Sequence, residues 1–206
     1  MKVVKLEEIL KNRKISQLLP TLLIAKELEL KYLVKERKQL TGPAVGLSII
    51  IDKLTKMSIN SMLDLCCGTG ALAKIALKNG VTRIVCVDKN TKAVKKNVGK
   101  LRNVKIIEAD VMKFKIEEFF DLIVLDAPRE LLPKLFNKFE EFSIHSNIFI
   151  LWHGSCEEEE WNEEIREKLR EVFKVLYSFS VYGEEISTCS STEKGIKLLR
   201  KFYKEW

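Results

Sequence analysis

Four aspartates are the residues best placed for chemistry in this 206-residue chain, because each follows a short apolar segment. They are Asp64, Asp88, Asp110 and Asp126. Apolar segments that alternate with helical patterns predict parallel strands, whose carboxyl ends share one edge of a sheet. Four acids at that edge suit a ligand with several hydroxyl groups, an exocyclic amine and positive charge.

A glycine turn follows the first of these segments, where residues 61–70 read S-M-L-D-L-C-C-G-T-G. Gly68 and Gly70 have no Cβ, so backbone N–H groups can approach a ligand closely around Thr69. A helix is predicted to begin directly after Gly70. The turn and the acids therefore predict one binding site built from several strand ends.

Two further reactive side chains follow the predicted strand at 147–152. His153 is a candidate proton acceptor, and a histidine that is hydrogen-bonded in a loop is the alternative. Cys156 is a candidate nucleophile, which needs the thiolate form. The acidic run 157–160 would raise the pKa of that thiol, and it is also typical of a helix start.

The chain has five cysteines, an odd number without C-x-x-C spacing. This pattern predicts neither a disulfide framework nor a metal site. The default interpretation of most of them is small buried hydrophobic residues.

Charge is distributed unevenly along the chain, which carries +7 in total. Residues 1–115 hold 24 Lys and Arg against 10 Asp and Glu, a balance of +14, and the remaining 12 against 19 give −7. A positive half can attract phosphates. Five cations at helical spacing after the second acid form a candidate face, and a solvated surface is the alternative. They are Lys92, Lys95, Lys96, Lys100 and Arg102.

The predicted elements give an α/β architecture after a helical N-terminal part. Strands are predicted at 61–65, 83–88, 104–109, 121–126 and 147–152, and helices at 70–79, 91–101, 130–141 and 158–173. Residues 175–182 and 196–203 are predicted to form an antiparallel hairpin across a polar loop at 183–195. Residues 1–60 are predicted to be helical, with segments at 6–10, 22–40 and 44–57.

The longest apolar run is far shorter than a membrane span, and the N-terminus does not resemble a signal peptide. We therefore expect a soluble cytoplasmic protein without a membrane partner.

From about Thr41 to Trp206 the chain resembles the class I S-adenosylmethionine-dependent methyltransferases. The resemblance rests on L-D-L-C-C-G-T-G, I-V-C-V-D, I-I-E-A-D-V and F-D-L-I-V-L-D-A-P, in that order, followed by the hairpin. It implies a Rossmann-like fold with a seven-stranded, mostly parallel sheet and a C-terminal antiparallel hairpin. We expect a helical extension over residues 1–42 and the methyltransferase domain over 43–206.

The resemblance implies S-adenosylmethionine as the cofactor and a role for each acid. Asp64 and the backbone of 68–70 would hold its methionine end, and Asp88 would accept both ribose hydroxyls. Asp110 would accept from the adenine amine, with the Val111 N–H on the ring, and Asp126 would lie near the methyl group. Cys66, Thr69 and Lys89 are expected in the same site. Cys66 stands where the family usually has a further glycine.

A nicotinamide cofactor is the alternative, because Gly68-x-Gly70-x-x-Ala73 with Asp88 also fits the dinucleotide fingerprint. The glycine motif alone is weak support for either cofactor. A dehydrogenase requires neither the acids that close the third and fourth strands nor the hairpin, so the methyltransferase interpretation is favoured.

The segment after the fourth strand, Asp126-Ala127-Pro128-Arg129-Glu130, should carry the acceptor specificity. It departs from the Asn/Asp/Ser-Pro-Pro-Tyr/Phe motif of enzymes that methylate exocyclic amines or glutamine amides. Its Asp-Ala-Pro resembles RNA cytosine-5 methyltransferases, in which a cysteine near the place of Cys156 attacks the base. We expect RNA as the acceptor. A protein side chain, a small amine or a cofactor-binding subunit without its own activity are the alternatives.

Overall fold

The computed structural model of the protein describes residues 2–5, 19–36, 39–41 and 44–206. The helical segment predicted at 6–10 lies outside these residues. Within the described ranges the architecture is α/β, with one large sheet and one small sheet. No helix in these ranges is both long enough and apolar enough to cross a lipid bilayer.

The N-terminal part differs from the prediction that residues 1–60 are entirely helical. Its elements are β1 Lys2–Lys5, α1 Leu19–Glu27, β2 Tyr32–Glu36 and β3 Gln39–Thr41. The three strands form the small antiparallel sheet. The predicted helix over 22–40 is therefore wrong beyond Glu27, and the helical extension of residues 1–42 contains strands. The domain boundary at residue 42 stays a prediction.

Helix α1 ends early because of a backbone reversal that the sequence does not signal. Glu29 takes a left-handed φ of 51°, and the Leu30 N–H donates to the Ala25 carbonyl at 2.9 Å. Such a stop usually uses glycine at the left-handed position. A glutamate there leaves the apolar periodicity running through the turn, so the pattern predicted one longer helix.

The large sheet follows the predicted alternation of strands and helices. Its strands are β4 Ser61–Leu65, β5 Arg83–Asp88, β6 Val104–Glu108, β7 Phe120–Leu125, β8 Ser146–Ser155, β9 Val175–Val181 and β10 Glu184–Ser190. The strand order is β6-β5-β4-β7-β8-β10-β9, and β10 is antiparallel to both of its neighbours. The order reverses between β4 and β7, and open sheets of this kind bind ligands at such a point.

Helices cover both faces of the large sheet. They are α2 Val45–Thr55, α3 Ala71–Lys78, α4 Lys92–Val98, α5 Leu132–Leu135, α6 Phe139–Ile144, α7 Glu159–Val172 and α8 Glu193–Glu205. Apolar residues of α2, α3, α4 and α8 share one buried cluster, and those of α5, α6 and α7 share the other. The helix predicted at 130–141 is instead two short helices with 3-10 turns at Arg129–Leu131 and Phe136–Lys138.

The C-terminal hairpin is confirmed, but its second strand is β10 and not the predicted segment 196–203. The predicted polar loop contains β10, whose Ser187, Thr188 and Ser190 are buried with hydrogen-bonded hydroxyls. The predicted strand lies in α8, which begins at the Thr192 cap and buries Leu199 and Phe202 at helical spacing. The polar side chains of β10 give no hydrophobic pattern, so the sequence did not predict this buried strand.

Helix α2 is attached to this hairpin through its N-terminus. The Glu184 carboxylate accepts hydrogen bonds from the backbone N–H groups of Val45 (2.8 Å), Gly46 (3.0 Å) and Leu47 (3.3 Å). These groups have no partner inside the helix, and a carboxylate suits the positive end of its dipole. Gly46 also lies directly against Val181 of β9. The first helix of the domain is thus fixed to its last hairpin.

Replacing Gly46 with alanine tests this contact, because two opposed effects predict different signs. Helix propensity alone would raise the free energy of unfolding by up to about 1 kcal/mol. The added Cβ, however, would lie 2.6 Å from the Val181 carbonyl oxygen and 3.0 Å from a Glu184 carboxylate oxygen. We expect the clash to dominate and to lower the free energy of unfolding by about 1–3 kcal/mol in urea titrations. A stabilised variant would contradict the close packing of α2 on the hairpin.

Candidate functional site

The glycine turn takes the chain from the end of β4 into α3 at the carboxyl edge of the sheet. Left-handed φ angles occur at Cys66 (61°), Gly68 (50°) and Gly70 (76°). A Cβ on Gly70 would lie 2.9 Å from a Val94 methyl group, so glycine also allows α3 to pack closely on α4. Thr69 is buried within the turn. The conformation at Cys66 explains why glycine suits that position.

Asp88 lies at the end of β5, and backbone donors hold its carboxylate. One oxygen accepts from the Gly68 N–H at 2.8 Å, and the other accepts from the Asn90 N–H at 2.8 Å. The carboxylate therefore faces the glycine turn, as the sequence predicted. Each carboxylate oxygen can accept a further hydrogen bond from a ligand.

Asp110 lies two residues after β6 and is held in a similar way. One oxygen accepts from the Met112 N–H at 3.0 Å, and the other pairs with the Lys89 Nζ at 2.9 Å. Lys89 and then the Met112 N–H lower the pKa of the Asp110 carboxyl. Val111, next to it, is buried. The predicted site residues Lys89, Asp110 and Val111 thus lie together at the β5–β6 end of the edge.

A groove of about 630 Å³ begins beside Asp110. It runs along β5 and β6 between apolar side chains that include Val85, Ile107 and Phe114. These residues lie in mid-strand or in the following loop. The groove therefore reaches the carboxylate edge only at Asp110 and leads away from the glycine turn.

Asp64, inside β4, is the most unusual acid of the group. It is fully buried, and neither carboxylate oxygen meets a hydrogen-bond donor among the residues that the structure describes. Burial raises the pKa of Asp64 well above its usual range, and the charges of Asp126 and Asp88 raise it further. Without a ligand this group takes up a proton.

Asp126 follows β7 and shares the edge with a residue that sequence reasoning missed. Burial, and then the nearby Glu184, raise the pKa of Asp126 to about 7. Burial also raises the pKa of Glu184, while the N–H groups of α2 partly offset that effect. Glu184 was assigned to a polar loop, and only the pairing of β10 with β8 brings it to this edge.

The structure places His153 inside the protein. It is fully buried, and the nearby Asn162 side chain is in a position to favour its charged form. No residue of β10 pairs with His153, because Trp152 pairs with Ile186 and Gly154 pairs with the adjacent Glu185. Burial, and then the charge of Arg166, lower the pKa of His153 to about 3. The role of His153 as a proton acceptor stays a prediction.

Cys156 follows β8 and is partly buried beside the turn of the hairpin, where its N–H donates to the Gly183 carbonyl at 3.0 Å. Its role as a nucleophile stays a prediction. Cys66 is a different case, because burial and then the charge of Asp88 raise the pKa of its thiol. Cys66 is therefore present in the site as a thiol and not as a thiolate.

Two of the four glutamates in the acidic run after Cys156 form ion pairs with arginines. Glu158 pairs with Arg129, whose guanidinium also lies 4.6 Å from the centre of the Trp161 ring. Glu159, in the first turn of α7, forms an ion pair with Arg166 of the same helix. The run therefore begins a helix, as one interpretation predicted, and it binds the arginine of the Asp126–Glu130 segment.

The five predicted cations lie on the exposed side of α4 and in the turn that follows it. The opposite side of α4 buries Ala93, Val94 and Val98. Lys95 lies 3.3 Å from the Glu108 carboxylate. This face adjoins β5 and β6, at the opposite end of the edge from Glu184.

The chain matches a known family over its central part. Residues 62–145 match the family described as Methyltransferase domain. The sequence is also similar to the ribosomal protein L11 methyltransferase of Thermotoga maritima, with 30% identity over 123 residues. The matched region is 53% of this chain and 47% of that protein, so the chain spans about half the length of the curated relatives it matches.

Solved structures share the fold. A protein from Pyrococcus horikoshii, named as a candidate RNA methyltransferase, superposes with a TM-score of 0.60 at 19% identity, over 81% of this chain and 94% of that chain. Spermidine synthase from Thermotoga maritima gives a TM-score of 0.62 at 15% identity, over 82% and 69%. At these identities the likeness shows the fold alone.

The raised pKa of Asp126 predicts a pH-dependent stability that the variant Asp126→Asn lacks. An aspartate in the unfolded chain titrates near pH 3.9, whereas Asp126 titrates at about 7 in the folded protein. The folded state therefore binds the proton more tightly, and its advantage is lost as the pH rises towards 7. Between pH 5 and 8 the wild type should lose at least about 1 kcal/mol of unfolding free energy relative to Asp126→Asn.

Denaturant titrations at several pH values measure this difference. The lowered pKa of His153 acts in the opposite direction over the same range, but it is common to both proteins and cancels in the comparison. A difference that stays constant with pH would contradict the assignment.

The left-handed backbone at Cys66 predicts that two substitutions change the free energy of unfolding to different extents. Cys66→Gly should keep the free energy of unfolding within about 1 kcal/mol, since relief of strain offsets the greater entropy of the unfolded chain. Cys66→Val should lower it by about 1–3 kcal/mol, because a β-branched residue is strained at positive φ. Urea unfolding of both variants checks the prediction, and equal stabilities would contradict the conformation.

Proposed function

We propose that this chain, whose residues 62–145 match the family described as Methyltransferase domain, binds S-adenosylmethionine at the carboxylate edge and transfers its methyl group to an acceptor. One observation carries the proposal. Asp64 is fully buried at the glycine turn without a hydrogen-bond donor in the described part of the chain. Burying a lone carboxylate is costly, and a cationic ligand offsets that cost. The cofactor has two cationic groups, the α-ammonium and the sulfonium.

The other acids fit the remaining groups of the cofactor. Asp88 has free acceptor capacity on both oxygens and suits the ribose diol. Asp110 suits the adenine amine, with the Val111 N–H on the ring. The backbone of 68–70 and the first turn of α3 suit the methionine carboxylate, since a helix N-terminus favours negative charge. Cys66 and Lys89 stay predicted neighbours of the cofactor.

The bound cofactor supplies a methyl group on a positively charged sulfur, which a lone pair displaces in line. The residues of this chain have to hold the two reactants in line and keep water out. Asp126 lies beside Asp64 and Glu184, where the methyl group is expected. The family match favours this cofactor over the nicotinamide alternative, which rests on the spacing of glycines alone.

The acceptor predicted from charge is RNA, and the exposed cations of α4 support that prediction. The names of similar proteins point in two directions, since one is a candidate RNA methyltransferase and another acts on a ribosomal protein. A protein side chain or a small amine is therefore the alternative acceptor. A cofactor-binding subunit without its own activity is the alternative function.

Asp88→Asn tests the proposed cofactor site by calorimetric titration with S-adenosylmethionine and with S-adenosylhomocysteine. Loss of the charged acceptor should weaken both affinities at least about tenfold, which corresponds to 1.4 kcal/mol. Glu140→Gln is the matched control, because it removes one exposed carboxylate outside the site and should leave both affinities unchanged.

Thermal unfolding establishes that both variants are folded. If the wild type binds neither compound, the proposed function is wrong. If it binds S-adenosylmethionine but transfers no label with whole-cell extract, the non-catalytic alternative holds.

A further inference from the structure

The end of the site near β8 and β10 is acidic on two sides. Asp126 directly follows β7, which pairs with β8 through Leu125 and Leu151. Glu184 begins β10, opposite Ser155 near the end of β8. The two carboxylates therefore flank the end of β8 at the same edge of the sheet.

No cationic side chain neutralises this pair within the described part of the chain. The Asp126 carboxyl makes no hydrogen bond or ion pair there. Glu184 receives its hydrogen bonds from the backbone of α2. Arg129, three residues after Asp126, is bound to Glu158 and to the face of Trp161. The closest cation in sequence is thus directed away from the two acids.

A second observation, the unpartnered Asp64, indicates that this edge of the sheet receives a cationic ligand. Asp64 is completely buried on the other side of Asp126, and both of its oxygens lack a donor in the described residues. When two neighbouring carboxylates have no cationic partner, their mutual repulsion favours the protonated form of one of them. The cationic cofactor accounts for Asp64, but Asp126 and Glu184 remain without a positively charged partner.

We propose that the methyl acceptor is a cationic amine whose nitrogen binds between Asp126 and Glu184. This inference rests on the proposed function, because it names the substrate class of the same site. Trp152 lies between the two acids in the register of the strands, and its indole N–H is close enough to Glu184 to lower the pKa of that carboxyl, in opposition to the effect of burial. An aromatic ring at this point also favours a cation.

The two carboxylates also supply the proton acceptor that an ammonium group requires. The ammonium gives one proton to the Asp126 carboxylate and becomes a neutral amine with a lone pair. The lone pair forms the new N–C bond, the C–S bond breaks, and its electron pair stays on sulfur as a neutral thioether. The product is a methylated ammonium, and the proton on Asp126 leaves to solvent. A group that titrates near pH 7 is suited to this transfer.

RNA is less compatible with this end of the site. Its phosphates would approach Asp126 and Glu184, and like charges repel one another. The cations that favour RNA lie beside β5 and β6, four and five positions away from β10 in the sheet order. The cationic face of α4 is therefore remote from the acceptor side.

Label transfer from tritiated S-adenosylmethionine tests the inference with three acceptors. Spermidine represents a small amine, a lysine-rich peptide represents a protein side chain, and total RNA represents nucleic acid. We expect label in one of the amine acceptors and none in RNA. Label found only in RNA, or in none of the three, would overturn the inference.

Two isosteric variants and one control test the roles of Asp126 and Glu184 in the reaction with the amine. Asp126→Asn should lower kcat/KM for the amine at least 100-fold and move its pH optimum to higher pH, where the amine is already neutral. Glu184→Gln keeps one of the two oxygens that accept from α2, so thermal unfolding first establishes that it is folded, and it should mainly raise KM for the amine at least tenfold. Glu157→Gln removes an exposed carboxylate outside the pair and should change neither parameter.

Calorimetry with S-adenosylmethionine separates the two proposals. If the wild type does not bind the cofactor, the proposed function fails. If all variants bind it and the amine kinetics of Asp126→Asn equal those of the wild type, only the amine inference fails. We expect the loss in amine kcat/KM to exceed any loss in cofactor affinity at least tenfold.

Discussion

Like-charged carboxylates that crowd one edge of a parallel sheet are the constraint on which the site depends. Every parallel strand ends at the same edge, so an acid that follows each strand is brought close to the others. Asp64 is fully enclosed there, and removing an unpaired carboxylate from water costs several kcal/mol. The ligand-free protein lowers this cost by binding protons, and a cationic ligand can replace them.

The acids are not equivalent, because the fold gives each one different partners. Backbone N–H groups hold Asp88 and Glu184, and Lys89 holds Asp110. Asp64 and Asp126 have no such donors in the described residues, and the pKa of each is raised by burial. Different surroundings thus separate the hydrogen-bonded acids from Asp64 and Asp126, whose raised pKa favours the binding of a proton. The antiparallel strand β10 completes this arrangement by bringing Glu184 to the edge.

Much of this site could be predicted from the sequence, because its main signals are local. Strands β4 to β8, the glycine turn and the four aspartates follow from apolar runs and their spacing. Glu184 could not be found in this way, since its position depends on strand pairing and on a helix about 138 residues earlier in the chain. The burial of His153 depends on a register shift between β8 and β10, which no periodicity reveals.

The uneven charge of the sequence corresponds to two ends of the folded edge. The N-terminal half, with its +14 balance, supplies β4 to β6 and the cationic side of α4, and the C-terminal half supplies β7 to β10. A ligand across this edge therefore meets Lys89 beside Asp110 at one end and Asp126 with Glu184 at the other. From the sequence alone the positive half suggested attraction of a nucleic acid. In the fold, Lys89 lies at the end of the edge where the adenosine is proposed to bind. Asp126 and Glu184 lie at the other end, where a cationic acceptor would enter.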